Sequence, residues 1–265
     1  MKQLLYILLL LPISSFSQQS DFKEIMHKEG KFSFISADNL GNIYVLTLDS
    51  QLKKFNSKGD SMGVFNDVRR YGLITSINTN NPLRTILYFG NYRTVLILDR
   101  FLNVVNSIDL KKSKLFQVEV VCPSYDNNIW VFDEQENKLK KVSEEGKSLA
   151  ETADLRIALD EAIMPNWITD RNGLVYMYDK SKGLFIFDYY GVLKSKVTLL
   201  NWTELQVIDQ AVFGRSENKL LKYIPGSLQI QEMILPDQIK KAELLCIQPQ
   251  GIYVLTESGV TLFSY

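Results

Sequence analysis

The sequence predicts an all-β chain folded as a six-bladed β-propeller, its last blade closed by an N-terminal strand. Three observations carry the prediction. A unit of turn, apolar run, turn, alternating run and turn recurs six times; the copies fall about 40 residues apart; and the last copy stops one strand short.

The unit is clearest in "DNLGNIYVLTLDSQLKKFNSKGD", Asp38 to Asp60, and returns as "YDNNIWVFDEQENKLKKVSEEGK" from Tyr125 and "TDRNGLVYMYDKSKGLFIFDYYGVL" from Thr169. Weaker copies start at Arg84, Asp209 and Pro249. With the aromatic of the first apolar run as a ruler, Tyr44, Tyr88, Trp130, Tyr176, Phe213 and Tyr253 stand 44, 42, 46, 37 and 40 residues apart. Short runs of β-branched and aromatic residues bounded by Gly, Asn, Asp or Ser make antiparallel sheets, and sheets repeated radially make a propeller.

In chain order, blade one is expected to run Phe32 to Ala37, Asn42 to Leu48, Gln51 to Ser57 and Ser61 to Asn66. The inner strands of the six blades read "FSFISA", "LITSIN", "VEVVCP", "MPNWIT", "LQVIDQ" and "AELLCI". Between blades three and four, "AETADLRIALDEAIMPNW" breaks the repeat: Leu155, Ala158, Leu159 and Ala162 recur at helical spacing until Pro165, which predicts a short inserted helix. Blade six has Glu243 to Gln248, Gly251 to Glu257 and Val260 to Tyr265, after which the chain ends. An open ring would leave a sheet edge unpaired, so Asp21 to Lys28 is expected to supply the missing outer strand.

Ahead of the blades, residues 1–17 carry Lys2, an apolar run from Leu4 to Ile13, then small polar residues with Ser15 and Ser17 at the positions a signal peptidase reads. This pattern predicts a secretory signal peptide, a single propeller domain over residues 18–265, and a periplasmic or secreted protein. The apolar run is too short to span a bilayer, so no transmembrane span is expected in the mature chain. Lys plus Arg equals Asp plus Glu at 30 each, so charge gives no reason to expect nucleic acid. The composition, 46% hydrophobic and 23% charged, is globular. Two cysteines, Cys122 and Cys246, are too few for a disulfide scaffold and have no nearby Cys or His for a zinc site. Both lie in inner strands of opposite blades, so they are expected to stay unbridged.

"ADNLGNIYVLTLDSQLKKFNSKG" and "TDRNGLVYMYDKSKGLFIFDYYG" resemble the NHL-type repeat of six-bladed propellers, a class related to the TolB-like propellers. Thr47 stands where that repeat frequently has Asp. The resemblance implies the fold and a range of roles: scaffold, ligand binder, sensor or calcium-dependent hydrolase. His27, the only histidine, falls in the expected closing strand, away from any central triad. A calcium site at the axis would need oxygen ligands from inner strands, and Glu119, Asn166, Asp209 and Glu243 are placed to reach the tunnel. No two copies repeat an acid at an equivalent place, so no metal, cofactor or catalytic residue is expected. Asp133 and Asp179 read as turn-forming residues, and the ruler aromatics as core.

In a propeller, the loop leaving each outer strand shares a face with the turn between the two middle strands. That face gathers Arg69, Arg70, Tyr71, Tyr92, Arg93, Lys111, Lys112, Lys114, Lys180, Lys182, Trp202, Lys240 and Lys241, with Asp67, Glu134, Glu136, Glu204 and Asp237 among them. Bases interleaved with Tyr and Trp suit a protein interface. The expected function is a non-enzymatic protein-binding or scaffold subunit of the bacterial cell envelope, in an outer-membrane or secretion assembly. A calcium-dependent propeller hydrolase of lactones, esters or glycans and a ligand-sensing propeller are the alternatives.

Overall fold

The computed structural model describes residues 22–264. The expected signal peptide, Asp21 and Tyr265 lie outside the described residues. Within them, 24 strands form six four-stranded antiparallel sheets, and the chain is a six-bladed β-propeller.

Each sheet is built in chain order from the inner strand outward, so consecutive strands are neighbours joined by tight turns. Blade one consists of Phe32–Ala37, Ile43–Thr47, Leu52–Phe55 and Ser61–Phe65, within a residue or two of expectation. Blade six is the exception in connectivity. Its inner strands are Leu244–Gln248, Gly251–Thr256 and Gly259–Ser264, and its outer strand is Lys23–Glu29, paired with Ser264 at Lys23 and with Gly259 at Glu29. The ring therefore closes with the N-terminal strand, and His27 sits in it with Nδ1 2.8 Å from Thr261 Oγ1.

The alternating strand pattern puts one apolar row on each sheet face, and six clusters result, one at each blade junction. Tyr44, Tyr88, Trp130, Tyr176 and Tyr253 are buried, each opposite an inner-strand residue. Two of the polar tips fasten one blade to the next: Tyr88 donates to Val118 O at 2.6 Å and Trp130 Nε1 to Asp170 at 3.1 Å, while Tyr44 donates to Asp38 within blade one. Asp133 and Asp179 accept from the backbone N–H two residues on, as turn-forming aspartates do. Asp133 also holds the buried Lys140 ammonium at 2.8 Å.

Several elements differ from expectation. The inner strands of blades two and four start three residues later, at Ser76 and Trp167, because the crossovers into them are longer; that of blade five starts two residues earlier, at Thr203. The inserted helix, α2, is only Leu155–Leu159. It stops well before Pro165, where Asp160 turns left-handed at φ 57°. Two further single-turn helices, α1 (Val68–Tyr71) and α3 (Asp237–Lys240), occupy the crossovers from blade one to two and from five to six. The cysteines lie in the inner strands of blades three and six, both buried and free. Burial pushes the Cys122 thiol well up and that of Cys246 to about 11.

Candidate functional site

The six inner strands ring a central tunnel. A cavity of about 450 Å³ lies among blades one, two, four, five and six, and one of about 240 Å³ continues it toward blade three. Many polar side chains at the wall are spent on clasping neighbouring blades. Ser36 Oγ meets Thr79 Oγ1 at 2.7 Å, Gln206 Oε1 accepts from Ile247 N at 2.7 Å, and Gln248 Nε2 donates to Ala37 O at 2.6 Å. Asn80 reaches from blade two to blade four, donating to Thr169 and accepting from Arg171, each at 3.0 Å. These bonds satisfy groups that the inner edge would otherwise leave to water.

The expected axial acids do not converge. Glu119 and Asn166 line the tunnel, but Asp209 lies in a turn at φ 52° and Glu243 precedes the inner strand of blade six; neither lines a tunnel cavity. Among the described residues no three of His, Cys, Asp and Glu are grouped to hold a metal ion. The four residues the sequence offered for an axial calcium are therefore not brought together.

The tunnel wall also holds Glu204, which the sequence placed among the acids of the loop face. A bulge between Thr203 and Gln206 sets Glu204 at φ 55° and turns its side chain into the wall. Oε1 stands 3.4 Å from Arg215 Nη1, the Leu245 backbone lies close enough to help hold the charge, and among the described residues the buried Oε2 meets no donor within strict hydrogen-bond geometry. Burial raises this carboxyl to about 7, against the opposing pull of Arg215. The Arg215 guanidinium in turn bonds Ala242 O at 2.9 Å and Lys240 O at 3.3 Å, tying blade five to the crossover into blade six. Nothing in the sequence marks a bulge here, so the signal was absent.

All the predicted binding residues lie on one face, called here the upper face, because every one belongs to a crossover or to a turn between middle strands. They do not all present themselves to a partner. Tyr71 and Trp202 are 8% and 4% exposed: Tyr71 packs against Phe89 at 5.4 Å between ring centroids, and Trp202 lies in the core between blades four and five. They are core anchors of their loops, which corrects the expectation. Lys182 is bound to Glu161, which also takes Lys196, and Lys240 pairs with Asp237 at 3.1 Å. Lys180 and Lys241 are exposed on other blades.

What remains gathers around blade two. Arg69, Arg70, Lys111, Lys112 and Lys114 are exposed, and Tyr92 stands among them half-exposed. Three loops, 66–75, 90–93 and 110–117, are stitched together there. Gly90 N donates to Thr75 Oγ1 at 2.8 Å, Arg93 Nε to Phe116 O at 2.9 Å, and Leu110 N to Arg93 O at 2.9 Å. Gly72 lets the Tyr92 ring close over the first loop, since a Cβ there would lie 2.8 Å from that ring.

Sequence reasoning also missed an apolar arc. Just ahead of four successive inner strands, at the tunnel mouth, stand Leu73 (60% exposed), Phe116 (54%), Met164 (75%) and Leu200 (44%). The equivalent crossovers into blades one and six carry Lys31 and Lys241.

No protein-family model matches the chain, and no curated protein sequence matches it. Solved structures share the fold. A streptogramin B lyase is similar at 14% identity and TM-score 0.59, over 87% of this chain and 78% of that one. The WD40 domain of Pan2 from Neurospora crassa is similar at 12% identity and TM-score 0.60, over 89% of each chain. PorZ of Porphyromonas gingivalis is similar at 11% identity and TM-score 0.56, over 86% of this chain and 30% of that one. These identities speak to the β-propeller fold alone, and the NHL-type resemblance is compatible with it.

Proposed function

We propose that this protein is an exported, non-enzymatic propeller that binds a protein partner through its upper face, as a scaffold subunit of the bacterial cell envelope. The observation that carries the proposal is the arc of Leu73, Phe116, Met164 and Leu200. Four large apolar side chains exposed two or three residues ahead of successive inner strands support a contact surface there, since burying them is worth more than leaving them in water. Among the fold's neighbours, PorZ is described as an essential bacterial surface component of the type-IX secretion system, which accords with an envelope role.

Lyase or hydrolase chemistry has less support. A histidine-to-alanine form of the virginiamycin B lyase from Staphylococcus aureus is described as catalytically inactive, whereas the only histidine here is in the closing strand, bound to Thr261. Both thiols are buried and held protonated, and the acids offered for an axial calcium do not converge on the tunnel.

The test is purification of the tagged full chain from its source organism. The wild type is expected to bring down a stoichiometric protein partner, and the M164D/L200D double variant to lose it. L228D, on the opposite face, should keep it. A monomer that retains no partner in any form, or that hydrolyses an ester or lactone, would overturn the proposal.

A further inference from the structure

The bases around blades three and four differ in their pairing from those on the upper face beside blade two. Around blades three and four, Lys138, Lys140, Lys141, Arg156, Lys182 and Lys196 are each paired with a carboxylate. In the upper-face loops beside blade two the opposite holds: among the described residues, no ion pair within 4 Å involves Arg69, Arg70, Lys111, Lys112 or Lys114. Five bases on two upper-face loops with no carboxylate within 4 Å add to one positive field, which an outside anion would meet.

These bases are mounted on a built surface. From Asp109 to Leu115 the loop is closed by four backbone hydrogen bonds, at 3.0 to 3.2 Å, with Leu110 and Leu115 buried beneath. Tyr71 plugs the loop that carries Arg69 and Arg70 into the core, with the Arg70 guanidinium 5.0 Å from its ring. The sector is thus preorganised, which lowers the ordering cost of binding. Leu73 and Phe116 flank it on the tunnel side, next to the inner strands.

We propose that the blade-two sector of the upper face docks an acidic polypeptide segment, whose apolar anchor packs on Leu73 and Phe116 and whose carboxylates meet Arg69, Arg70 and the lysines of the 110–117 loop. The inference rests on the upper face being the docking face. A narrow segment fits better than an anionic membrane. A flat bilayer laid on the same face would also meet exposed Glu136, Glu217, Glu243 and Glu257 on blades three, five and six, whereas along blade two the bases Arg69, Arg70, Lys111, Lys112 and Lys114 outnumber the partly exposed Asp67, Asp109 and Glu134.

The experiment places a benzophenone photocrosslinker at position 116, 200 or 228 of the full chain, and irradiates each in the envelope fraction of the source organism. Position 116 is expected to capture a peptide segment of net negative charge. K111E/K112E/K114E should cut that yield about tenfold, as reversing three rim charges does, while K111R/K112R/K114R preserves it. Unchanged melting temperatures for both triple variants show that the fold is not the cause. Capture at 116 of a neutral or basic segment, or of a lipid or glycolipid, overturns the inference. So does silence at 116 with protein capture at 200, which leaves the upper face as the docking face. Capture only at 228, or none at any position, overturns both.

Discussion

Replacing Glu204 with Gln isolates the one carboxyl that the tunnel wall holds far from its ordinary range. In the folded chain it titrates at about 7 rather than near 4.5, because burial outweighs Arg215. A raised carboxyl favours the folded state when protonated, so its contribution is complete below about pH 4.5, declines as pH rises, and is gone above about pH 7. The side chain is 13% exposed, so solvent screens it little. At about 1.36 kcal/mol per pH unit, the rise is worth on the order of 3 kcal/mol. Gln cannot ionise, so the stability of the variant relative to wild type should increase by that amount between pH 4.5 and pH 8. Urea unfolding of both proteins across this range measures it, with the difference cancelling every other titrating group. Parallel curves, differing by less than about 0.5 kcal/mol in their pH dependence, would refute the argument that Glu204 is charged against a low-dielectric wall.

Three further outcomes follow from the fold. Starting the chain at Gly30 removes the strand paired with Gly259–Ser264; six paired positions at about 1 kcal/mol per hydrogen bond put the loss on the order of several kcal/mol, and an unchanged melting temperature would show the closure to be wrong. Ellman's reagent should find no reactive thiol in the native chain and two in denaturant without reductant, since both cysteines are buried and free; an intramolecular bridge found by mass spectrometry would contradict the blade order. Asp133→Ala strands the Lys140 ammonium, whose remaining carboxylates are the more exposed Glu136 and Glu151, and should cost about 3 kcal/mol in denaturant unfolding; a loss under about 1 kcal/mol would show the pair to be well solvated.

The blade count and the closure were legible because they rest on period and on turn chemistry, which each repeat states independently. Phe32–Ala37 and Val118–Pro123 begin and end where the residues say they do. The crossovers were less legible. α1 and α3 are single turns fixed by the packing of Tyr71 and Ile239 into interblade cores, and so short a segment carries no helical period. The face of the candidate site was legible from topology alone, since strand order decides which loops share it. The fate of each side chain was not: Tyr71 and Trp202 resemble contact residues in sequence and are core in space, whereas Lys182 and Lys240 are bound to acids their loops bring to them. Leu73 and Phe116 were overlooked because exposure of an apolar residue is a property of the assembled ring.

Hydrogen exchange on the copurified complex tests the docking face most directly. Relative to the free chain, slowed exchange is expected in the upper-face loops 66–75, 90–93, 110–117, 152–166 and 198–202, strongest around blade two, and not in the opposite turns such as 224–229. Protection confined to those opposite turns or to the outer strands, or a complex that protects nothing, would contradict a partner bound at the tunnel mouth.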